Sequence, residues 1–315
     1  MPGPRIIYLT PYAQVLSGGT KMVYRHVEAL NAMGFDAVVR RPAEVDPPGW
    51  FRHEARSEDM ASPLRPDDIL VLPEDAPEAL IRCAPLPNPK VIFCQSLVAM
   101  PAFWSSAVPR EVQARYRTFL TGSEGMAAFV ARHFDYDLIS VVPVFADERL
   151  FRPGPKARLI ACSPRKRPYE QRAIRYMFER LHPDAAGWRW EILETETEAR
   201  TAEVMGRASV FLSLARMEST CLTNLEAMAS ECLMTGFTGV GPREYASPVN
   251  GIWVDEDDCE AAAHALSRAC ALADAGGGAA ALMRHAARTT AARWTYAGFR
   301  ERLASFWRDR MGVTA

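Results

Sequence analysis

Two glutamates and a run of three cations are the residues of this sequence best suited to chemistry. Glu218 and Glu226 stand eight positions apart in Glu218-Ser219-Thr220-Cys221-Leu222-Thr223-Asn224-Leu225-Glu226-Ala227-Met228-Ala229. An ionised carboxylate accepts hydrogen bonds from hydroxyls strongly. Arg165, Lys166 and Arg167 lie between Pro164 and Pro168 with no acid among them. Three adjacent cations repel one another unless water or an anion offsets them, and Arg forks suit phosphate oxygens. Gly18-Gly19, and Gly239 with Gly241, are places where a backbone can approach a ligand closely.

The elements that must position these groups read as alternating strands and helices. Arg5–Thr10 is a short apolar strand, followed by Ser17-Gly18-Gly19-Thr20 and a helix in which Val23, Val27, Leu30 and Met33 share a face. Gly34 stands where a C-terminal cap belongs, and strands follow at Asp36–Val39, Ile69–Leu72, Val91–Cys94 and Thr118–Thr121. A helix over Gly122–His133 and a strand over Leu138–Val142 complete this series. The strands are continuously apolar, which suits a parallel sheet buried on both faces. Residues 42–66 are rich in proline and charge and read as an irregular excursion. Residues 99–110 read as a loop with Phe103 and Trp104 as exposed aromatics.

Pro143–Pro155 has the proline density of a linker. A second series begins after it. Leu159–Cys162 is a strand, Ser163–Pro168 a loop and Tyr169–Leu181 a helix. Trp190–Leu193, Val210–Leu214, Cys232–Thr235 and Gly251–Val254 are strands, with helices at Glu196–Arg207 and Thr220–Ser230. The end of the chain is helical, over Asp258–Asp274, Ala279–Ala292 and Tyr296–Met311, with Gly276-Gly277-Gly278 as a break. Two consecutive parallel α/β units result, and such sheets bind ligands at the carboxyl ends of their strands.

Composition agrees. The 315 residues are enough for about two domains. With 37 Lys+Arg against 38 Asp+Glu the formal net charge is −1, which disfavours a nucleic-acid binder. No stretch has the length of a transmembrane helix and no signal-peptide pattern opens the sequence, so a cytoplasmic protein is expected. The seven cysteines are odd in number and widely spaced without C-x-x-C, and the six histidines form no metal-binding pair, so neither disulfide nor metal is expected.

The E-x7-E segment ending in Glu-Ala-Met-Ala resembles the signature of the retaining glycosyltransferases of family four. Other features match in order: Gly18-Gly19 after the first strand, Val142–Pro153 as the linker, Ser163–Arg167 as the basic phosphate loop, Gly239–Glu244 as the glycine loop, Asn250–Asp258, and Arg293-Trp294 opening the last helix. The resemblance spans nearly the whole chain. It implies the GT-B fold: two Rossmann-like domains facing a central cleft, residues 1–148 on the acceptor side and 149–292 on the donor side. Residues 293–315 would form a helix crossing back to the first domain. It departs from the family at Gln95-Ser96, where a catalytic His often stands, and at Val144–Asp147 in the linker.

The resemblance implies roles as well. Glu218, Arg165 and Lys166 would be catalytic. Glu226, Arg167, Gly18, Gly19, Thr220, Leu222, Gly239 and Gly241 would bind the donor, Glu226 through its ribose hydroxyls. The expected activity is metal-independent transfer of a sugar from a nucleotide-diphosphate donor, with no other cofactor. The acceptor would be a glycan, a lipid-linked or a small molecule, and peripheral membrane contact is compatible. Plain alternatives stand beside these roles. Glu226 could serve the dipole of a helix first turn, Glu218 could pair with Arg216, the basic loop could be solvated, and the glycines could be tight turns. A non-catalytic GT-B binding protein, favoured by Gln95, and a nucleotide-sugar epimerase are the competing functions.

Overall fold

The computed structural model describes residues 3–11, 16–134, 136 and 138–315. The chain forms two compact units, Met1–Val144 with Ala297–Ala315, and Phe145–Tyr296. These limits fall a few residues from the sequence-based 148/149 and 292/293. Residues after Val144 already bond within the second unit: Ala146 N donates to Trp294 O at 3.0 Å, and Tyr296 N to Glu148 Oε2 at 2.7 Å.

The first unit holds a seven-stranded, all-parallel sheet in the order β3-β2-β1-β4-β5-β6-β7. Its strands are β1 (Ile6–Leu9), β2 (Ala37–Arg41), β3 (Ser57–Asp59), β4 (Ile69–Pro73), β5 (Lys90–Cys94), β6 (Thr118–Thr121) and β7 (Ile139–Val141). The helices are α1 (Gly18–Ala32), α2 (Pro77–Cys83), the short α3 (Ser105–Ala107) and α4 (Arg110–Gln113), and α5 (Glu124–Phe134). Ser17 caps α1 by accepting the Thr20 amide, and Gly34 follows it with φ +91°, the left-handed stop expected there. Alternate residues of the inner strands, such as Ile7, Leu70, Ile92 and Phe119, build one core cluster.

Three features were not expected. β3 is a short edge strand inside the irregular excursion, α2 starts on a helix-compatible Pro77, and residues 100–107 are helical rather than a loop. The last point relocates Trp104. It is fully buried, edge-on to Tyr116 and Phe119 with centroids at 5.5 and 5.8 Å, while Phe103 alone is exposed. Neighbouring residues on a helix project about 100° apart, so Trp104 can enter the core while Phe103 faces solvent.

The second unit carries a five-stranded parallel sheet, β12-β11-β10-β8-β9. It comprises β8 (Ala157–Cys162), β9 (Arg189–Ile192), β10 (Ala208–Leu214), β11 (Leu233–Phe237) and β12 (Gly251–Val254). Its helices are α6 (Pro168–Leu181), α7 (Glu198–Arg207), α8 (Leu222–Ala229), α9 (Cys259–Ala275) and α10 (Gly277–Ala291). Helix α11 (Tyr296–Ser305) and the π turn Phe306–Arg310 follow. Trp307 and Phe299 of this last segment pack in the first unit, on Tyr8 and on His26 at 6.5 and 5.0 Å between centroids. Burial there lowers the His26 pKa to about 3, so the imidazole sits neutral in an apolar wall.

Each sheet has a switch in strand order, at β1/β4 in the first and β8/β10 in the second. Beside the first switch, Glu74 follows β4. Its Oε1 accepts the amides of Gln95 and Ser96, both at 2.7 Å, which fastens the turn after β5 to the end of β4. Burial, with Asp75 adding to it, pushes the Glu74 pKa up to about 8.

Two measurements test this packing. Trp104→Ala should cost about 3–5 kcal/mol by denaturant unfolding; a loss under about 1 kcal/mol would put the ring back at the surface. Glu74 carries a pH signature. Its folded pKa lies above the usual 4.5, so the folded state keeps a proton that the unfolded state releases. The stability it contributes is full below about pH 4.5 and is lost as pH rises toward 8. Glu74→Gln, which can still accept both amides, should flatten the decline in unfolding free energy between pH 5 and 8. Identical pH slopes in variant and wild type would refute the buried, proton-holding carboxyl.

Candidate functional site

The loops after β8 and β10 meet because those strands are hydrogen-bonded neighbours ending at Cys162 and Leu214. In the first loop, Arg167 N bonds Pro164 O at 2.8 Å, and Pro168 starts α6 with its ring preset for a first helical position. That turn sends Arg165 and Lys166 toward the second loop. Lys166 Nζ lies 3.2 Å from Glu218 Oε1, and Arg165 approaches the same oxygen at 3.7 Å. The other oxygen, Glu218 Oε2, is buried without a hydrogen-bond partner. The three groups assigned to catalysis are thus brought together at the carboxyl edge of the sheet. Arg216 pairs with Glu170, at 3.9 Å, rather than with Glu218.

Glu226 lies in the second turn of α8, not the first, and is buried. Its burial and place along the helix remove the dipole explanation, which belongs to first-turn acids. Leu222 is the first residue of α8 and half-buried. Before it, Cys221 takes a left-handed φ of +62° and supplies no capping side chain. Burial, then the nearby Glu218 carboxylate, pushes the Cys221 thiol well above its ordinary pKa, so it is inert. Thr220 is buried: its carbonyl accepts Tyr245 Oη at 2.8 Å, while its own hydroxyl has no partner. Buried polar groups without partners are uncommon in folded proteins, and two of them, Glu218 Oε2 and Thr220 Oγ1, sit in this one loop.

Three sequence assignments change. Arg167, expected on the donor, is 1% exposed and turned into the protein. Its guanidinium donates to Ala215 O at 3.0 Å and Glu256 Oε2 at 2.5 Å, pairs with Glu170 and Asp257, and lies over the Phe237 ring. The arginine holds Asp257 below the usual carboxylate pKa. Gly239 and Gly241, expected to offer amides to a ligand, have those amides occupied. Gly239 N donates to Glu256 Oε1 at 2.7 Å, Val240 N to Arg216 O at 2.9 Å and Gly241 N to Glu218 O at 2.9 Å. The glycines serve close contact between loops. A Cβ on Gly241 would fall 2.0 Å from Ser219 O, and one on Gly239, with φ +68°, would fall 2.6 Å from Arg216 O.

Gly18 and Gly19 lie in the first unit, as the opening residues of α1 rather than in a loop before it. Gly19 faces the Gln95 side chain, where a Cβ would come 3.4 Å from Oε1. Glu74 and Glu256 were not singled out from sequence. Glu74 had no signal, whereas Glu256 stands in the acidic run 255–258, whose direction only the fold reveals. Among the described residues no group of three or more His, Cys, Asp and Glu side chains is placed to hold a metal ion, and no helix is long and apolar enough to cross a membrane.

No family model matches the chain. An alpha-1,6-glucosyltransferase of Actinobacillus pleuropneumoniae serotype 7 (strain AP76) is 33% identical over 114 residues, 34% of this chain and 34% of that protein. The match thus spans about a third of the length of that curated relative. Solved structures match over nearly the full chain. The glycosyltransferase from Rickettsia africae ESF-5 has a TM-score of 0.71 at 12% identity, covering 98% of each chain. The sucrose-phosphate synthase of Thermosynechococcus elongatus gives 0.73 at 15%, covering 98% of this chain and 99% of its own. The HepE protein of Anabaena, in a complex with UDP-glucose, gives 0.71 at 14%, covering 97% and 99%. With its two all-parallel sheets and these full-length likenesses, the chain has the GT-B fold.

Proposed function

We propose that the chain is a retaining glycosyltransferase that moves a sugar from a nucleotide-diphosphate donor to an acceptor, without a metal ion. The observation that carries this reading is the convergence of Lys166 and Arg165 on Glu218 at the β8/β10 switch. Open α/β sheets bind ligands at that place. Lys166 and Arg165 are a third to a half exposed, so an anion can reach both. Charge grows on the diphosphate as the glycosidic bond breaks, and preplaced cations stabilise it more in the transition state than in the ground state. The first turn of α8, with no capping side chain, adds amides of the right polarity. Glu218 would face the donor sugar and Glu226 the ribose.

The likeness to HepE, whose structures hold UDP and UDP-glucose, supports a UDP-sugar donor. The stretch shared with the alpha-1,6-glucosyltransferase supports glucose as the first sugar to try. The second unit is then the donor side and the first the acceptor side. The first unit's switch carries Gln95, Gly19 and the proton-holding Glu74 in place of a cation cluster. A hydroxyl acceptor needs hydrogen bonds there, not charge. Gln95 also favours the second reading, a GT-B protein that binds a nucleotide sugar without turning it over. Turnover separates the two.

Nucleotide sugars should be screened by thermal shift, where saturation at about 100 times Kd stabilises by about 2.7 kcal/mol. With the donor found, Lys166→Ala and Arg165→Ala should lower kcat as well as donor affinity, and shift stability by under about 0.5 kcal/mol. Glu226→Ala should weaken the donor by roughly ten- to a hundred-fold, the worth of about 1.5–3 kcal/mol for a charged hydrogen bond. Unchanged turnover and affinity in all three would remove the donor site from these loops. Donor binding without sugar transfer or hydrolysis in the wild type would favour the binding protein.

A further inference from the structure

We infer that Arg167 and Glu256 form a positioning pair that holds the Glu218 loop and the Lys166 loop in register for the donor. The inference rests on the donor reading above.

Glu256 divides its two oxygens between two jobs. Oε2 takes the Arg167 guanidinium at 2.5 Å, and Oε1 takes Gly239 N at 2.7 Å and the Thr238 hydroxyl at 3.3 Å. Arg167 in turn reaches Ala215 O at 3.0 Å, in the loop that leads to Glu218. From Gly239 the contact continues through main chain alone, Val240 N to Arg216 O and Gly241 N to Glu218 O, both at 2.9 Å. One ion pair therefore joins the loops that follow β8, β10, β11 and β12. Arg167 is also the residue directly after Lys166, so fixing Arg167 fixes the backbone from which Lys166 extends. Both ends of the Lys166–Glu218 contact are anchored by the same pair.

Stability alone does not ask for this arrangement, because buried ion pairs can be replaced by apolar residues at little loss. What an apolar pair would lack is the second oxygen of Glu256, the one that receives Gly239. Asp257 provides the internal comparison. It also pairs with Arg167, but its side chain is mostly exposed and bonds to none of residues 238–241. Its φ of +67° suits Asn.

The test uses the full chain and UDP as the probe, with amide hydrogen exchange at Gly239–Gly241 and UDP affinity by calorimetry. Glu256→Ala should speed exchange at those amides at least tenfold and weaken UDP at least tenfold. Glu256→Gln, which keeps an acceptor for Gly239 but loses the charge facing Arg167, should fall between it and the wild type. Asp257→Asn should match the wild type in both. A folded Glu256→Ala with wild-type exchange and affinity would overturn the pair. So would a lowered melting temperature with unmoved UDP affinity, or equal losses in Asp257→Asn and Glu256→Gln. Should Glu256→Ala fail to fold, Glu256→Gln decides, and wild-type values in it overturn the pair. Wild-type protein that binds neither UDP nor another nucleoside diphosphate would sink the donor reading and the pair's role together. Tight wild-type binding with unaffected Glu256 variants would sink the pair alone.

Discussion

The second unit depends on two strands of irregular chain lying closer together than side chains allow. Residues 239–241 run directly against residues 216–219, and no residue but glycine fits at 241, where a Cβ would collide with carbonyl oxygens. The contact turns the loop after β11 into a wall behind Glu218. Backbone pairs between loops leave few degrees of freedom, so the Glu218 main chain is held by Gly241 while its carboxylate meets Lys166 and Arg165. A group held in place before a ligand arrives has less ordering entropy to lose when it binds.

That wall must be tied to the rest of the sheet, and a buried guanidinium is suited to the task. Arg167 has donors in a fixed fork, and the acceptors it meets come from three segments: Ala215 O after β10, Glu170 in the first turn of α6, and the adjacent Glu256 and Asp257 after β12. An uncompensated charge at this depth would be expensive, so the acids are required by the burial. The same need for pairing separates Arg167 from its neighbours. Lys166 and Arg165 share one carboxylate oxygen between them and remain partly in water. Their positive charge is therefore only half offset, whereas that of Arg167 is matched several times over.

What could be read from the sequence follows from how local each signal is. Continuous apolar runs such as Val91–Cys94 and Val210–Leu214 announce strands buried on both faces, and the structure has them in parallel sheets. Residues 100–107 gave no such signal, because Pro101 and the paired serines look like loop residues while the turn is stabilised by burying Trp104. The edge strand β3 was hidden for a related reason: Ser57–Asp59 has no apolar face and exists only by pairing with β2. Residue types at the candidate site were legible, and so was the order of the loops that carry them. Direction was not. Whether a cation in Arg165–Arg167 faces water or protein depends on acids about ninety residues away, at Glu256 and Asp257.

The two switch points differ in charge, and the difference bears on which ligand each can receive. At the second, half-exposed cations and an uncapped helix start leave a field that favours an anion. At the first, two acids follow β4: Asp75, and Glu74, whose proton is kept on near neutrality by burial and the nearby Asp75. Glu74 uses its carbonyl-like oxygen to hold the Gln95–Ser96 turn, and Gln95 then lies over Gly19 at the start of α1. Substituting a histidine for Gln95 would add a group that titrates near pH 7 to a turn whose anchor is itself a raised carboxyl. As it stands the turn is anchored by a carboxyl that keeps its proton until pH approaches 8, whereas Lys166, Arg165 and Glu218 carry their charges in the loops of the second sheet.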